Sequence, residues 1–357
     1  MLGRPRRLAL LAEGRFTPAE AKTAVGVLRY RPAEAAAVID STRAGRTSAG
    51  CVGVGGAVPV VRDVAAAAAA GADSLLVGVA PQGGELPEAW RDAVLAALAR
   101  GWDVISGLHE FLADDPRLAA AAAAGGARLI DLRRPPARRP VAAGRAAGLA
   151  ATVTLTVGSD CNAGKMTAAV ELARELSARG GRAAFVATGQ TGMCVADGGV
   201  AVDAVPSDFV AGFTEELVLE AARGADHVVV EGQGSLLHPA CSGVALGLLH
   251  GACPSALVLC HPAGRTHLRV AAAPDTFAIP PLAVLAAACE EAARWLRPAR
   301  VVGVALNTLG LDEAAARAAC AAAARETGRP ATDPVRFGAG PLADALALFR
   351  RDHAPAA

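Results

Sequence analysis

The sequence predicts an α/β protein of two domains, each a mainly parallel sheet covered by helices. Three observations carry this expectation. At 357 residues the chain exceeds the length at which one core usually stops growing, about 250 to 300 residues. Short apolar strands alternate with alanine-rich helical segments throughout, an order that places parallel strands between two helical layers. The alternation breaks once, at Arg133–Gly148, where three prolines, two glycines and five arginines cannot continue an element. The domains are therefore expected at 1–135 and 151–357, with a linker at 136–150.

Taken in order, Arg7–Ala12 reads as an apolar strand, Pro18–Leu28 as a helix carrying Lys22, and Ala36–Asp40 as a second strand. Val58–Ala70 reads as a helix stopped by Gly71, Ser74–Val79 as a strand, and Pro87–Arg100 as a helix stopped by Gly101. Asp103–Ser106, Pro116–Ala124 and Arg128–Asp131 complete the first half as strand, helix and strand. The second half restarts with strand Thr152–Val157, helix Lys165–Ala178, strand Ala183–Thr188, helix Phe209–Arg223 and strand His227–Glu231. Strand Ala256–His261, helix Pro281–Leu296, strand Val301–Asn307 and helix Asp312–Glu326 follow, with a short strand near Pro334–Phe337. Each strand runs into a polar or glycine-rich loop, so the loops gather along one sheet edge, where a ligand is expected.

Composition excludes several classes. With 35 basic and 34 acidic residues the net charge is +1, and three Trp and one Tyr offer few stacking surfaces, so no nucleic-acid partner is expected. The alanine runs Ala65–Ala70 and Ala119–Ala124 are too short and too small-sided for membrane spans. The basic Arg4-Pro-Arg-Arg7 start leads into an apolar run that Glu13 and Arg15 soon interrupt, unlike a signal peptide. Eight cysteines without a Cys-x-x-Cys or regular framework indicate a reducing cytoplasm, with most thiols acting as small core residues. Association into a homo-oligomer is compatible with this composition.

The sharpest motif is Gly158-Ser-Asp-Cys-Asn-Ala-Gly164-Lys165-Met166-Thr167, which follows an apolar strand and opens a helix. The chain uses only two lysines, Lys22 and Lys165, in a sequence that otherwise prefers arginine. A compact ammonium fits between phosphate oxygens as a point charge, whereas guanidinium favours planar bidentate contacts. Together with backbone N–H groups at a helix start this makes an anion cradle. Gly158, Asp160, Asn162, Ala163, Gly164, Lys165, Met166 and Thr167 are its candidate cofactor contacts. The run departs from G-x-x-x-x-G-K-[ST] in having five residues between the glycines and Met166 in the hydroxyl position.

Glu231 ends the apolar run Val228–Val230 and precedes Gly-Gln-Gly-Ser235, so it is a candidate proton acceptor or metal ligand; the alternative is a carboxylate that caps local amides. Asp203 is a candidate metal or substrate contact, and Asp208 a contact or a helix cap. His261 and Arg265 follow another strand end and suit recognition of a carboxylate or phosphate. His238, His250, His261 and His267 lack the spacing of a helical zinc site and read as loop hydrogen-bonding residues. Asn307, in Asn-Thr-Leu-Gly310, is placed to read a base and lacks the Asn-Lys-x-Asp pattern of guanine recognition. Thr167, Asp203 and Glu231 are the set available for magnesium.

Ala187-Thr-Gly-Gln-Thr-Gly192, Ala201-Val-Asp-Ala-Val-Pro-Ser-Asp-Phe-Val-Ala-Gly212, Glu231-Gly-Gln-Gly-Ser-Leu-Leu-His-Pro239 and Leu246-Gly-Leu-Leu-His-Gly251 together resemble one family. The first half adds Ala21-Lys-Thr-Ala24, Leu28-Arg-Tyr30, Gly78-Val-Ala-Pro-Gln82-Gly-Gly84 and Ser106-Gly-Leu-His109. This is the D-glutamate N-acetyltransferase (DgcN-like) family, formerly a domain of unknown function, and the resemblance spans nearly the whole chain. It implies an N-terminal Rossmann-like domain, a C-terminal P-loop NTPase-like three-layer domain, and acetyl transfer from acetyl-CoA to the amine of D-glutamate or a related amino acid. On that reading Gly164, Lys165 and Thr167 anchor the coenzyme phosphates, Arg265 holds a substrate carboxylate, and Glu231 or His261 is the base. The C-terminal half is also similar to dethiobiotin synthetase, whose loop has the same spacing followed by Gly-Lys-Thr. That likeness implies an ATP- and magnesium-dependent ligase, but Met166 departs from it at the magnesium contact. A nucleotide-binding regulatory protein without turnover is the third reading.

Overall fold

The structure, a computed structural model, describes residues 6–81, 83–196, 198–270 and 273–352. The chain forms two compact units, residues 1–135 with 190–204, and residues 136–189 with 205–357.

The first unit begins with β1 (Leu8–Leu11), α1 (Lys22–Tyr30) and β2 (Ala35–Ile39). The helix starts four residues later than expected because Thr17 and Glu20 close a turn of their own, Glu20 N donating to Thr17 Oγ1 at 3.3 Å. Next come α2 (Ser48–Val52), β3 (Val60–Val61) and α3 (Val64–Ala69). The expected helix Val58–Ala70 is thus split: Val60 and Val61 pair with Val38 and Ile39, and the Asp63 carboxylate caps α3 by accepting from Ala66 N at 2.8 Å. β4 (Ser74–Val77), α4 (Glu88–Leu98), β5 (Asp103–Ser106), α5 (Pro116–Gly125) and β6 (Leu129–Asp131) complete the alternation. All pairs in this sheet are parallel and its order is β3-β2-β1-β4-β5-β6, the Rossmann order, with the switch point between β1 and β4.

The second unit opens with β7 (Thr152–Gly158), α6 (Lys165–Ala178) and β8 (Ala183–Val186). The chain then joins the first unit through α7 (Gln190–Ala196), before returning with α8 (Ser207–Ala222) and β9 (His227–Val230). Arg133 fastens this excursion, donating to Gly107 O at 2.8 Å, Gln190 Oε1 at 2.9 Å and Asp203 Oδ2 at 2.5 Å. The remaining elements are α9 (Ser242–Ala252), β10 (Ala256–Pro262), α10 (Leu282–Arg294), β11 (Arg300–Asn307), α11 (Glu313–Thr327), β12 (Ala331–Thr332) and α12 (Gly340–Asp352). Their parallel sheet runs β12-β11-β10-β7-β9-β8, with β7 buried at every position.

The expected strand near Pro334–Phe337 is a turn, and the edge strand lies earlier, paired with Val304 and Ala305. Asp333 is the cause: its carboxylate accepts from Thr308 N at 3.0 Å and Val335 N at 2.9 Å, which bends the chain away from the sheet. Helix α9 forms despite its glycines, since Gly251 packs on α8 where a Cβ would lie 2.3 Å from Ala211 O. The run expected as a linker lies along α8. There the buried Glu215 accepts from Ala143 N at 3.2 Å and Arg145 N at 2.6 Å, and Gly212 meets Pro140. Among the described residues no helix is long and apolar enough to cross a membrane.

Candidate functional site

In the second unit the ends of β7, β9, β10 and β11 converge on the segment Ser159–Gly164. Gly164 adopts φ +96°, which an L side chain rarely tolerates, and delivers the chain into α6 at Lys165. Asn162 is also in the left-handed region, at φ 55°. These two residues curl the loop over the helix start, where free N–H groups and the helix dipole favour anions.

Lys165 is only 6% exposed, and its Nζ donates to Asp160 O at 2.8 Å. Its stem lies against two glycines: a Cβ on Gly158 or on Gly232 would come within 3.2 Å of Lys165 Cδ. The same Cβ on Gly232 would be 1.6 Å from Thr156 O, so no side chain fits between β7 and the turn after β9. Burial lowers the Lys165 pKa, partly opposed by the nearby thiols and Asp160. A charge held in this cavity is expensive unless an anion meets it.

Asp160 is fully buried and organises the loop. It accepts from Cys161 N at 2.7 Å, Arg265 Nη1 at 2.8 Å and Arg269 N at 3.0 Å. Arg265 Nη1 also reaches Cys161 O at 3.1 Å, so this arginine holds the loop from the β10 side. Ser159 Oγ meets His261 Nδ1 at 2.8 Å. Burial, with the Arg265 charge added, pushes the His261 pKa down to about 4, which leaves a neutral imidazole at neutral pH.

Glu231 is buried at the end of β9, and its Oε2 accepts from Thr188 N at 3.0 Å and Gly189 N at 3.2 Å. Thr188 Oγ1 donates back to Glu231 O at 2.7 Å. The carboxylate thus caps local amides beside the phosphate loop. Asn307, at the end of β11, lies against the loop, 3.7 Å separating its Cβ from the position a Cβ on Gly164 would take. Its Oδ1 accepts from Leu309 N at 3.0 Å. Ala163 is buried, and Met166 and Thr167 are half-buried in the first turn of α6.

Of the three residues considered for magnesium, Thr167 and Glu231 belong to the second unit. Asp203 lies in the first, ion-paired with Arg133. Gln82, within one of the family runs, and Arg4-Pro5 at the basic start lie outside the described residues. Sequence reasoning missed Ser159, the Arg269 amide, and a cluster in which the sulfurs of Cys161 and Cys241 and a ring nitrogen of His238 lie within 4.8 Å of one another. Only the Ser-Asp-Cys composition of the loop could have pointed to it.

A glycine loop closed by a buried lysine at the central strand of a parallel sheet defines a phosphate-loop domain, joined in one chain to a Rossmann-like domain. The comparisons agree. Residues 140–343 match the P-loop domain of the family described as DUF1611, a domain of unknown function, and residues 41–135 match its N-terminal Rossmann-like domain. The chain belongs to this family. It is 41% identical over 329 residues to a D-glutamate N-acetyltransferase of Tritonibacter scottomollicae, covering 92% of this chain and 94% of that protein. A protein of the same name from a Pseudoalteromonas species is 35% identical over 273 residues, covering 76% and 80%. The crystal structure of a DUF1611 family protein from Anabaena variabilis superposes with a TM-score of 0.90 at 40% identity, covering 96% of this chain and 99% of that one. The chain is accordingly an enzyme of the acyltransferase class.

Proposed function

We propose that this enzyme transfers the acetyl group of acetyl-CoA to the amine of D-glutamate or a related amino acid, in the cytoplasm. The observation that carries the reading is the 41% identity, over 92% of the chain, to a protein named D-glutamate N-acetyltransferase. The phosphate loop supplies a chemical reason, because coenzyme A bears a pyrophosphate and a ribose phosphate. In this reading Gly158, Asp160, Asn162, Ala163, Gly164, Lys165, Met166 and Thr167 form the anchor, with Asn307 against its edge. Lys165 places a positive charge among the phosphate oxygens, and the N–H groups opening α6 donate to them.

The attacking amine must lose a proton. Glu231 can accept it through Oε1, the oxygen its capping amides leave to Gln233 Nε2 at 3.3 Å, and the neutral His261 is the second acceptor near the loop. Arg265, tied to Asp160, positions the loop and supplies the charge that attracts a substrate carboxylate. Backbone N–H groups would stabilise the tetrahedral oxyanion.

Mass spectrometry of purified protein with acetyl-CoA and a panel of D- and L-amino acids tests the proposal. N-acetyl-D-glutamate and free coenzyme A in equal amounts are expected. ADP formation with ATP and no acetylated product would overturn it in favour of a ligase, and ligand binding without any product would favour a regulatory protein.

A further inference from the structure

The phosphate loop carries chemistry that anchoring a phosphate does not use. Cys161, inside the loop, brings its Sγ to 3.0 Å from the Sγ of Cys241, the residue that opens α9. The two lie 80 residues apart, so no spacing rule announces them. Both are partly accessible, whereas Cys194, Cys253, Cys260, Cys289 and Cys320 are buried. Gly234 makes the approach possible: at φ +62° it lies under Cys241, and a Cβ there would sit 2.5 Å from Cys241 O and 3.0 Å from its Sγ.

The two sulfurs share a hydrogen bond in which either can donate. Cys241 is the better placed to carry negative charge: it faces the Ser235 N–H and the Lys165 ammonium and stands at a helix start, with Asp160 opposing. These contacts bring its pKa down to about 7, while the Cys161 thiol is pushed up by the same hydrogen bond and by burial.

His238, the third member of the cluster, is committed elsewhere. Its Nε2–H donates to Arg269 O at 3.2 Å, and its Nδ1 accepts from Ala240 N at 3.2 Å. With both ring nitrogens engaged and the Lys165 and Arg265 cations close to Cys161, the surroundings favour thiolate reactivity over a divalent metal.

We propose that Cys161 and Cys241 are a redox couple, which a peroxide closes into a disulfide that pins the phosphate loop to the start of α9. The Cys241 thiolate attacks the peroxide O–O bond, giving a Cys241 sulfenic acid and, with hydrogen peroxide, water once the leaving hydroxide is protonated. Cys161 sulfur then attacks the sulfenic sulfur, its proton leaving with the displaced hydroxide as a second water. The sulfurs must approach by about 1 Å to reach the bond length of about 2.05 Å. The bridge would tie down the residue next to Asp160, which holds both Lys165 and Arg265, and would remove the thiolate charge beside Lys165.

To test this, reduced full-length protein is treated with hydrogen peroxide, alkylated, digested and mapped by mass spectrometry. A peptide pair joined through Cys161 and Cys241 is expected, with two fewer alkylated thiols, restored by dithiothreitol. Cys161→Ser should stop at a Cys241 sulfenic acid that dimedone traps, and Cys241→Ser should react several-fold more slowly; melting curves confirm that both variants fold. The proposal is overturned if Cys51 oxidises while no Cys161–Cys241 link forms. Stoichiometric zinc in the protein as purified, lost in Cys241→Ser, would also overturn it by making the pair metal ligands.

Discussion

Replacing Lys165 by methionine should separate what this residue does for the fold from what it does for a ligand. Lys165 is 6% exposed, and its ammonium donates to Asp160 O at 2.8 Å. Taking an ammonium out of water costs several kcal/mol, and a charged hydrogen bond returns only about 1.5–3 kcal/mol, so without an anion the native lysine is a net cost to the fold. Methionine keeps the stem that packs on Gly158 and Gly232, and the melting temperature is expected to hold or rise. Binding moves the other way. Losing one or two charge-assisted bonds to phosphate oxygens removes about 3 kcal/mol, roughly a hundredfold in affinity. Thermal melts with calorimetric titration of acetyl-CoA and of inorganic pyrophosphate read both quantities. Unchanged affinity, or a variant that no longer folds, would refute the argument that the lysine is an anchor set into an otherwise self-sufficient loop.

Asp160→Ala leaves the Arg265 guanidinium without its carboxylate and should cost about 3–5 kcal/mol, measured by urea denaturation; a smaller loss for Asp160→Asn is expected. Gly232→Ala puts a Cβ at 1.6 Å from Thr156 O, so β7 must part from the turn after β9. More than about 4 kcal/mol should be lost, and a soluble variant with native melting behaviour would contradict the packing. His261 governs an acid-side dependence. Its folded pKa of about 4 lies below the ordinary 6.5, so between these values the unfolded chain binds more protons and stability falls as pH falls. Partial exposure limits this to about 2 kcal/mol. The difference in stability between pH 7 and pH 4.5 should therefore shrink by that amount in His261→Gln, and equal losses in both proteins would refute it.

Much of the fold was legible because its rules are local. Apolar runs such as Val228–Val230 read as buried strands, and Asp115 or Asp312 before a helix is a cap that needs no distant partner. Misreadings arose where distant contacts override local preference. Val60 and Val61 look helical until Val38 and Ile39 offer an edge to pair with, and α9, absent from the expected elements, packs its Gly251 closely against α8. Residues 190–204 are held to the first unit by distant partners, Arg133 on Gln190 and Asp203 and Thr23 on Thr191, which no spacing connects.

The same division runs through the site. By itself the sequence marked the glycine loop of the P-loop domain at Gly158–Thr167, because the strand, the glycines, the sole lysine of the second half and the helix are contiguous. Tertiary structure alone decided the environment of that loop. Arg265 and Arg269 reach Asp160 from 105 and 109 residues away, Glu231 meets the Thr188 and Gly189 amides, and Cys241 comes to Cys161 across 80 residues. Charge, burial and proton sharing are properties of neighbours in space, and a linear chain does not display them until the sheet has brought its strand ends together.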